Sequence, residues 1–493
     1  MAKKVKEVAS ENQISLFGAV EQKKSHGLTD EQGEYVFYDG EDSILLKATA
    51  GSGKTHSCVH RLKELLKRGV DPKKIIFFSF TKTAVEELQK RVGNDDIKIT
   101  TIHAYCMSVL GRLNKYKNVA TFYEFIDWYR GKYRPSRYAT PSESHEFEAL
   151  INDLYSEGEY YSSQIGAYKL QNAVGVKTHA PKYWSEYKSF LYEKKARDFS
   201  DMLIEVRDLF REDRYLKVFK GSYDYIFVDE YQDTSAIQME TLLSLNAKYY
   251  YLVGDAAQSI YGYSGANCEK IEAMLEKRRT VERMNLTINF RSDQSIVENS
   301  NKYTDLEATA NSDKHGDVNH GIIFTLDDLV DMFKGQGEVV GLVRTNATIR
   351  RLEREFLQRQ IPIKYFNYIT PSELKAYQKD KNPRTKAKLD RVKKYFGGAE
   401  ANVISFIKAN EGSRKYFTSI HKSKGREYDT CIVVNSISEE TLQDNDVYDN
   451  MTNKQLERAS FLMNDPDDQE AQRIHYVAVT RSKHSLYFMM YDI

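Results

Sequence analysis

The stretch SILLKATAGSGKTHSCVHRLKELLK, from Ser43 to Lys67, limits the fold more than any other part of the chain. An apolar run too short for a typical helix leads into a glycine-bearing turn. Val59, Leu62, Leu66 and Val70 then recur at helical spacing. Strand, glycine turn and helix in that order are the setting of a phosphate-binding loop. Gly51 and Gly53 let backbone N–H groups close around phosphate oxygens, with Ala50 and Ser52 completing the cradle. Lys54 reaches the β- and γ-phosphates, and the Thr55 hydroxyl ligates Mg²⁺. Ala48 stands where the generic pattern has glycine.

A loop of this kind needs a parallel sheet behind it, and the sequence supplies the strands. IIFFSF, YIFVDE and YYYLVGD are short apolar runs ending in small or polar residues, as buried parallel strands do. A second set, GIIF, EVVGLV, TCIVVNS and SLYFMM, implies a second core, so the expected fold class is α/β with two cores. YIFVDEYQDTS places Asp229 and Glu230 at the end of a strand. There one carboxylate can hold the Mg²⁺ shell while its neighbour orients and deprotonates an attacking water.

Composition narrows the class further. The 493 residues leave room for about two to four domains. The formal net charge is only +1, so nucleic-acid binding must come from local basic and aromatic patches. Cys58, Cys106, Cys268 and Cys431 are scattered without a CxxC pair, against a zinc or iron–sulfur site and for a reducing compartment. No signal peptide or membrane-length apolar run is evident, so no membrane partner and a cytoplasmic location, in a bacterial or phage-infected cell, are expected.

The motifs as a set resemble the UvrD/Rep type of superfamily 1 DNA helicases, from Leu28 to the C-terminus, and they occur in that family's order. LTDEQ is similar to the adenine-reading motif, with Gln32 as its glutamine. AGSGKT and VDEYQDT match the two nucleotide motifs. FTKTAVEELQKRV and TIHAY resemble the strand-binding motifs, and VGDAAQSIYGYSGA the segment that couples ATP to DNA. LTINFRS, VRTNA, SIHKSKGREYD and HYVAVTRSK fall in the second core. The resemblance implies two RecA-like cores, ATP and Mg²⁺ as cofactors, and 3′→5′ movement on single-stranded DNA with unwinding at single/double-strand junctions by a monomer. Residue by residue, it implies that Gln258 contacts the γ-phosphate. Arg291 and Arg481 act as arginine fingers, Glu427 binds the ribose, and Phe290 and His56 sandwich the adenine. Phe80, Tyr261 and Tyr263 stack on bases, while Thr81, His103 and His421 contact the strand backbone.

The same resemblance divides the chain. Residues 1–26, polar and charged, read as a disordered tail; 27–110 and 198–285 are expected to form the first core, with 111–197 a helical insertion within it. Residues 286–365 and 412–493 form the second core, interrupted by 366–411. Segments 308–320 and 436–468 read as loops. The family carries a large insertion where this chain has only 366–411, which suggests a compact, phage-type motor. Within it Lys386, Lys388, Arg391, Lys393 and Lys394 fit either duplex phosphates or a solvated helix face. His56 and Phe290 stand where relatives usually have Arg and Tyr, and Tyr263 replaces a Trp. Ser264 takes the place of a common Arg, and GDAAQS lacks the usual acidic pair.

The tail contains QISLF, similar to the pentapeptide by which bacterial replication and repair proteins dock onto the DNA sliding clamp. Gln13 would fill a polar pocket, and Leu16 and Phe17 an apolar one. A tail folded back onto the motor through the same side chains is the alternative. Two further functional readings stay open: a translocase that strips bound proteins with little unwinding, and a non-catalytic, clamp-tethered DNA-binding adaptor.

Overall fold

The computed structural model describes residues 27–437 and 469–492, apart from 137, 157, 262–265, 324, 335–336, 367–370 and 381–382. The QISLF stretch, Tyr263, Ser264 and residues 438–468 therefore lie outside the described residues. The chain divides into two units. One takes the chain to Leu286 except Thr49–Ser52; the other takes Thr49–Ser52 and the chain from Thr287.

The first unit is built on a six-stranded parallel sheet of order β3-β2-β4-β5-β1-β6. Its strands are β1 (Ser43–Ala48), β2 (Ile75–Phe78), β3 (Lys98–Thr100), β4 (Tyr225–Asp229), β5 (Tyr249–Gly254) and β6 (Val281–Leu286). The central strands are apolar on both faces because helices cover both. The helices before the strand-rich return are α1 (Asp30–Phe37), α2 (Lys54–Lys67), α3 (Lys82–Val92) and α4 (Ile102–Arg112). Helix α2 follows the expected spacing as far as Lys67. Leu65 rather than Leu66 joins Leu62 as a deeply buried leucine, and Val70 lies past the helix end, after Gly69 turns the chain at φ +84°.

Four helices then follow: α5 (Phe122–Tyr133), α6 (Pro141–Ser156), α7 (Gly158–Ala173) and α8 (Trp184–Glu193). They close around their own aromatic cluster of Phe122, Phe125, Tyr187 and Phe190. Helix α9 (Phe199–Phe210) returns the chain to the sheet. Lys169 on α7 is fixed there by Asp198 and Asp201, each 2.8 Å from its Nζ. The short α10 (Asp213–Leu216), then α11 (Ala236–Ser244) and α12 (Cys268–Glu276), complete the unit.

The second unit carries a five-stranded parallel sheet of order β11-β10-β12-β13-β9, plus a two-stranded pair β7-β8. The strands are β7 (Ile288–Asn289), β8 (Thr309–Ala310), β9 (Asp317–Ile323), β10 (Val339–Val343), β11 (Lys415–Ser419), β12 (Tyr428–Ile437) and β13 (Ser482–Asp492). The polar stretch 308–320 is thus not all loop. It holds β8 and the start of β9, an edge strand whose pairing with β13 tolerates Asp317, Asn319 and His320. Helices α13 (Gln294–Asn301), α14 (Leu326–Lys334) and α15 (Asn346–Gln358) pack on this sheet. The segment read as a basic insertion forms α16 (Pro371–Asp380), α17 (Pro383–Val392) and α18 (Glu400–Ala409). Leu374, Tyr377, Leu389, Val392 and Val403 join the same apolar cluster as Val343, Phe356 and Phe417. A one-turn α19 (Ile420–Ser423) and α20 (Gln469–Val479) complete the unit.

Both sheets are wholly parallel, as the buried apolar runs require. The α/β class read from the sequence is the class observed.

Candidate nucleotide and strand-binding site

In the first unit, β1 runs into the phosphate loop and α2 begins at Lys54 without a side-chain cap. Its first-turn N–H groups and the positive end of its dipole are the expected partners of an anion. Gly53 has φ +80°, a conformation glycine adopts without the penalty of a Cβ, and a Cβ there would lie 2.9 Å from Gln32 Nε2. Gln32 is buried and locked by a reciprocal capping box with Thr29, both bonds being 3.2 Å. The glutamine expected to read adenine therefore sits beside the loop's last glycine. Thr55 follows Lys54 in the first turn. His56 is exposed with its ring tilted against that of His60, centroids 4.4 Å apart, and partial desolvation with Arg91 and Lys63 holds its pKa below the ordinary histidine value.

Asp229 closes β4. Burial first, and the adjacent Glu230 second, push its carboxyl up to about 7, while Lys54 pulls the other way. Lys54 and Asp229 are thus electrostatically coupled across the loop. A carboxylate crowded by another carboxylate, with the Thr55 hydroxyl on the helix beside the loop, is a hard-oxygen donor set suited to Mg²⁺. Such a cation would keep Asp229 ionised.

Glu230 adopts a left-handed backbone, φ +53° and ψ +44°. Its carboxylate accepts a 2.6 Å bond from Gln232 Nε2. Gln232 Oε1 in turn accepts from the Asp255 N–H at 3.0 Å, and Asp255 Oδ2 accepts from Gln258 Nε2 at 2.8 Å. The expected γ-phosphate contact, Gln258, is buried and joined to the acidic pair by this chain of bonds. Gln232 and Asp255 had no assigned role in the sequence reading. The only signal was their position inside the motifs YQD and GDAAQ.

The strand-binding candidates of this unit fall on loop ends and helix starts. Phe80 is 46% exposed and stacks on Tyr261, ring centroids 5.4 Å apart and planes 27° apart. Thr81 is exposed and caps α3 through the Ala84 N–H. His103 sits in the first turn of α4, edge-on to Phe199 at 5.6 Å, and burial lowers its pKa. A neutral His103 offers a phosphate a hydrogen bond rather than a full charge.

In the second unit, Thr49–Ser52 packs with the LTINFRS segment. Asn289 Nδ2 donates to Ala50 O at 2.8 Å, the Phe290 N–H donates to Gly51 O at 2.9 Å, and the Ala50 N–H donates to Tyr476 Oη at 3.4 Å. Gly51, at φ +73°, must be glycine, because a Cβ would lie 2.8 Å from Asn289 Oδ1 and from Arg291 Cβ. Ser52 is buried and bonds Thr49 O. Phe290 leaves its ring 48% exposed, as a base-stacking residue would.

Arg291 Nε holds Glu427 at 2.9 Å, and its Nη1 donates to Thr480 O at 3.0 Å. Burial tends to raise the Glu427 pKa, but the bonds from Lys483 and Arg291 outweigh it and keep the carboxylate below its ordinary value. Arg481 is 1% exposed, its guanidinium bonded to Val477 O, Arg426 O and Thr480 Oγ1. In the described state both arginines and Glu427 engage protein groups of their own unit. His421 is half-buried in α19, which is capped by Ser419.

A family model for the UvrD/REP helicase N-terminal domain matches residues 28–279. The chain is similar to the ATP-dependent DNA helicase PcrA of Staphylococcus epidermidis, 29% identical over 382 residues, which is 68% of this chain and 50% of the relative. It is also similar to PcrA of Bacillus subtilis (29% over 280 residues; 52% and 37%) and of Leuconostoc citreum (28% over 303; 56% and 39%). The chain spans half or less of the length of each of these relatives.

Proposed function

Because this chain belongs to the UvrD/REP helicase family, we propose that it is an ATP-dependent DNA helicase that moves 3′→5′ along single-stranded DNA and opens duplexes at junctions. The observation that carries the reading is the hydrogen-bonded chain from Glu230 through Gln232 and Asp255 to Gln258. It lies in the same unit as Lys54, Thr55 and the Phe80–Tyr261 stack.

The chemistry follows from these groups. Loop N–H groups and Lys54 hold the phosphates, and Thr55 and Asp229 would hold Mg²⁺, which when bound neutralises charge on the β- and γ-oxygens. Glu230 accepts the proton of a water attacking the γ-phosphorus as the bond to the β-phosphate oxygen breaks, leaving ADP and phosphate. Gln258 touches the γ-phosphate and reports its loss. Arg291 and Arg481 stabilise the transferring phosphoryl group after exchanging their present carbonyl and carboxylate partners. Glu427, once released by Arg291, takes the ribose, and Phe290 and His56 take the adenine.

Phe80, Tyr261 and Tyr263 stack on successive bases, and Thr81, His103 and His421 hold the strand. Stacking accepts every base, as a motor on arbitrary sequence needs. The chain acts as a monomer in the cytoplasm; among the described residues no helix is long and apolar enough to cross a membrane. The short segment forming α16–α18 favours one second reading, a translocase that strips proteins from single strands with little unwinding.

The test is steady-state ATP hydrolysis with and without oligothymidylate. Strand-stimulated turnover, abolished in Lys54→Ala while strand binding persists, is the expected result. Retained turnover in Lys54→Ala would overturn the assignment. We also propose that Gln13, Leu16 and Phe17 tether the motor to a DNA sliding clamp, raising its effective concentration at replication or repair sites. Titration of a labelled peptide of residues 8–22 onto bacterial clamp should show binding lost on Leu16→Ala with Phe17→Ala. Failure to bind would remove the tether.

A further inference from the structure

The left-handed backbone of Glu230 is unusual for a residue with a side chain, and such a conformation persists only where neighbours enforce it. The neighbours are the next two side chains. Tyr231 is buried and donates from its hydroxyl to Glu272 at 2.8 Å. Gln232 is 0% exposed and turns back across the strand end. Its Nε2 donates to Glu230 Oε2 at 2.6 Å and its Oε1 accepts from the Asp255 N–H at 3.0 Å. Its main-chain oxygen accepts from Ser259 Oγ at 3.0 Å.

The amide orientation is set by its partners. A carboxylate accepts and a backbone N–H donates, so only one flip state makes both bonds. Gly254 shows independently that the room is made for this side chain. A Cβ there would lie 2.2 Å from Gln232 Oε1 and 2.7 Å from Tyr231 Cδ1, although Gly254 itself has no left-handed backbone to require glycine.

We propose that Gln232 is the positioning residue for hydrolysis. It holds the Glu230 carboxylate in the orientation that accepts the water's proton and ties it to the Asp255–Ser259 turn, so that strand occupancy at Tyr261 is passed to the base. This rests on the helicase reading above. Gln232 does not touch ATP in this scheme. It acts through Glu230 on one side and through Asp255, Gln258 and Ser259 on the other, the segment that runs on to the Phe80–Tyr261 stack. An amide is required, because the position must donate at one end and accept at the other.

The experiment uses the full chain and compares ATP hydrolysis, with and without oligothymidylate, in wild type, Gln232→Met, Gln232→Glu and Gly254→Ala. Methionine fills the same volume and makes neither bond. Glutamate still accepts from Asp255 N–H but cannot donate to Glu230, and the alanine methyl of Gly254→Ala displaces the amide. In each variant, strand-stimulated kcat should fall by about tenfold or more, since small misplacement of a reacting group is costly. The KM for ATP should stay within about twofold, and the ratio of rates with and without DNA should collapse toward one. A purely structural role would lower melting temperature while leaving kcat per folded molecule and that ratio intact, and this result overturns the proposal. If Gln232→Met does not fold, Gln232→Glu, which keeps the Asp255 bond, decides. A wild-type chain with no strand-stimulated turnover would overturn the functional reading instead. A stimulated wild type with equally stimulated variants would overturn the role of Gln232 alone.

Discussion

Truncating Phe80 to alanine separates the proposed strand binding from folding, because the half-exposed ring has a small part in the fold and, in the proposed reading, a large part in holding a base. The ring is 46% exposed and its stacked contact is with Tyr261, 5.4 Å away. An aromatic pair contributes about 0.5–1.5 kcal/mol beyond burial, so the half-exposed stack leaves the fold intact without Phe80. A base lying on the ring contributes about 1–3 kcal/mol. At 1.4 kcal/mol per tenfold, Phe80→Ala should weaken the Kd for oligothymidylate by about 5- to 150-fold. Fluorescence anisotropy of a labelled strand without nucleotide measures this. Tyr261→Ala and the double variant complete a mutant cycle. In the proposed reading the two stacked rings hold the strand as one platform, so the double variant should lose less than the sum of the singles. A Kd within about twofold of wild type, with the melting temperature unchanged, would refute the stack as a strand platform.

Two predictions concern stability. Lys169→Met leaves Asp198 and Asp201 facing each other in a buried site, so urea unfolding should show a loss of about 3–5 kcal/mol; a loss below about 1 kcal/mol would mean the pair behaves as a solvated one. His475 is buried, and burial first, then His320 and Lys302, hold its pKa well below the ordinary value. The folded state therefore refuses a proton that the unfolded state binds below about pH 6.5. The associated stability is fully present above that pH and declines as pH falls, by about 1.4 kcal/mol between pH 7.5 and 5.5. It levels off only below the folded-state pKa. Urea titrations across that range should show the decline, and His475→Phe, which keeps a ring between Tyr303 and Phe488, should remove it. An equal slope in the variant would place the titration elsewhere.

The strands most legible in the sequence were those buried on both faces. Ile75–Phe78 and Val339–Val343 are apolar throughout, and no partner is needed to recognise them. Edge strands were less legible for the same physical reason. Val281–Leu286 leaves Glu282, Arg283 and Asn285 exposed, Lys98–Thr100 is three residues long, and Asp317–Ile323 carries polar side chains that only its pairing with β13 explains. In the candidate site, the residue types that phosphate chemistry demands were visible as Lys54, Thr55, Asp229 and Glu230, while Gln258 was indicated only by the family resemblance. Their connections were not. The bond from Gln232 to Glu230 depends on the left-handed turn at Glu230, and the bond to Asp255 on a glycine at 254. Neither condition can be read from local spacing. Arg481 shows the same limit from the other side. The resemblance makes it an arginine finger, but nothing in its local sequence shows that three oxygens of its own unit hold it almost wholly buried.

Strand displacement from two labelled duplexes, one with a 3′ single-stranded tail and one with a 5′ tail, tests the central claim most directly. With ATP and Mg²⁺, the 3′-tailed duplex should open and the 5′-tailed duplex should not, and Lys54→Ala should open neither. Strand-stimulated hydrolysis with both duplexes left intact would contradict the helicase reading and leave a translocase. Opening of the 5′-tailed duplex alone would contradict the direction of movement.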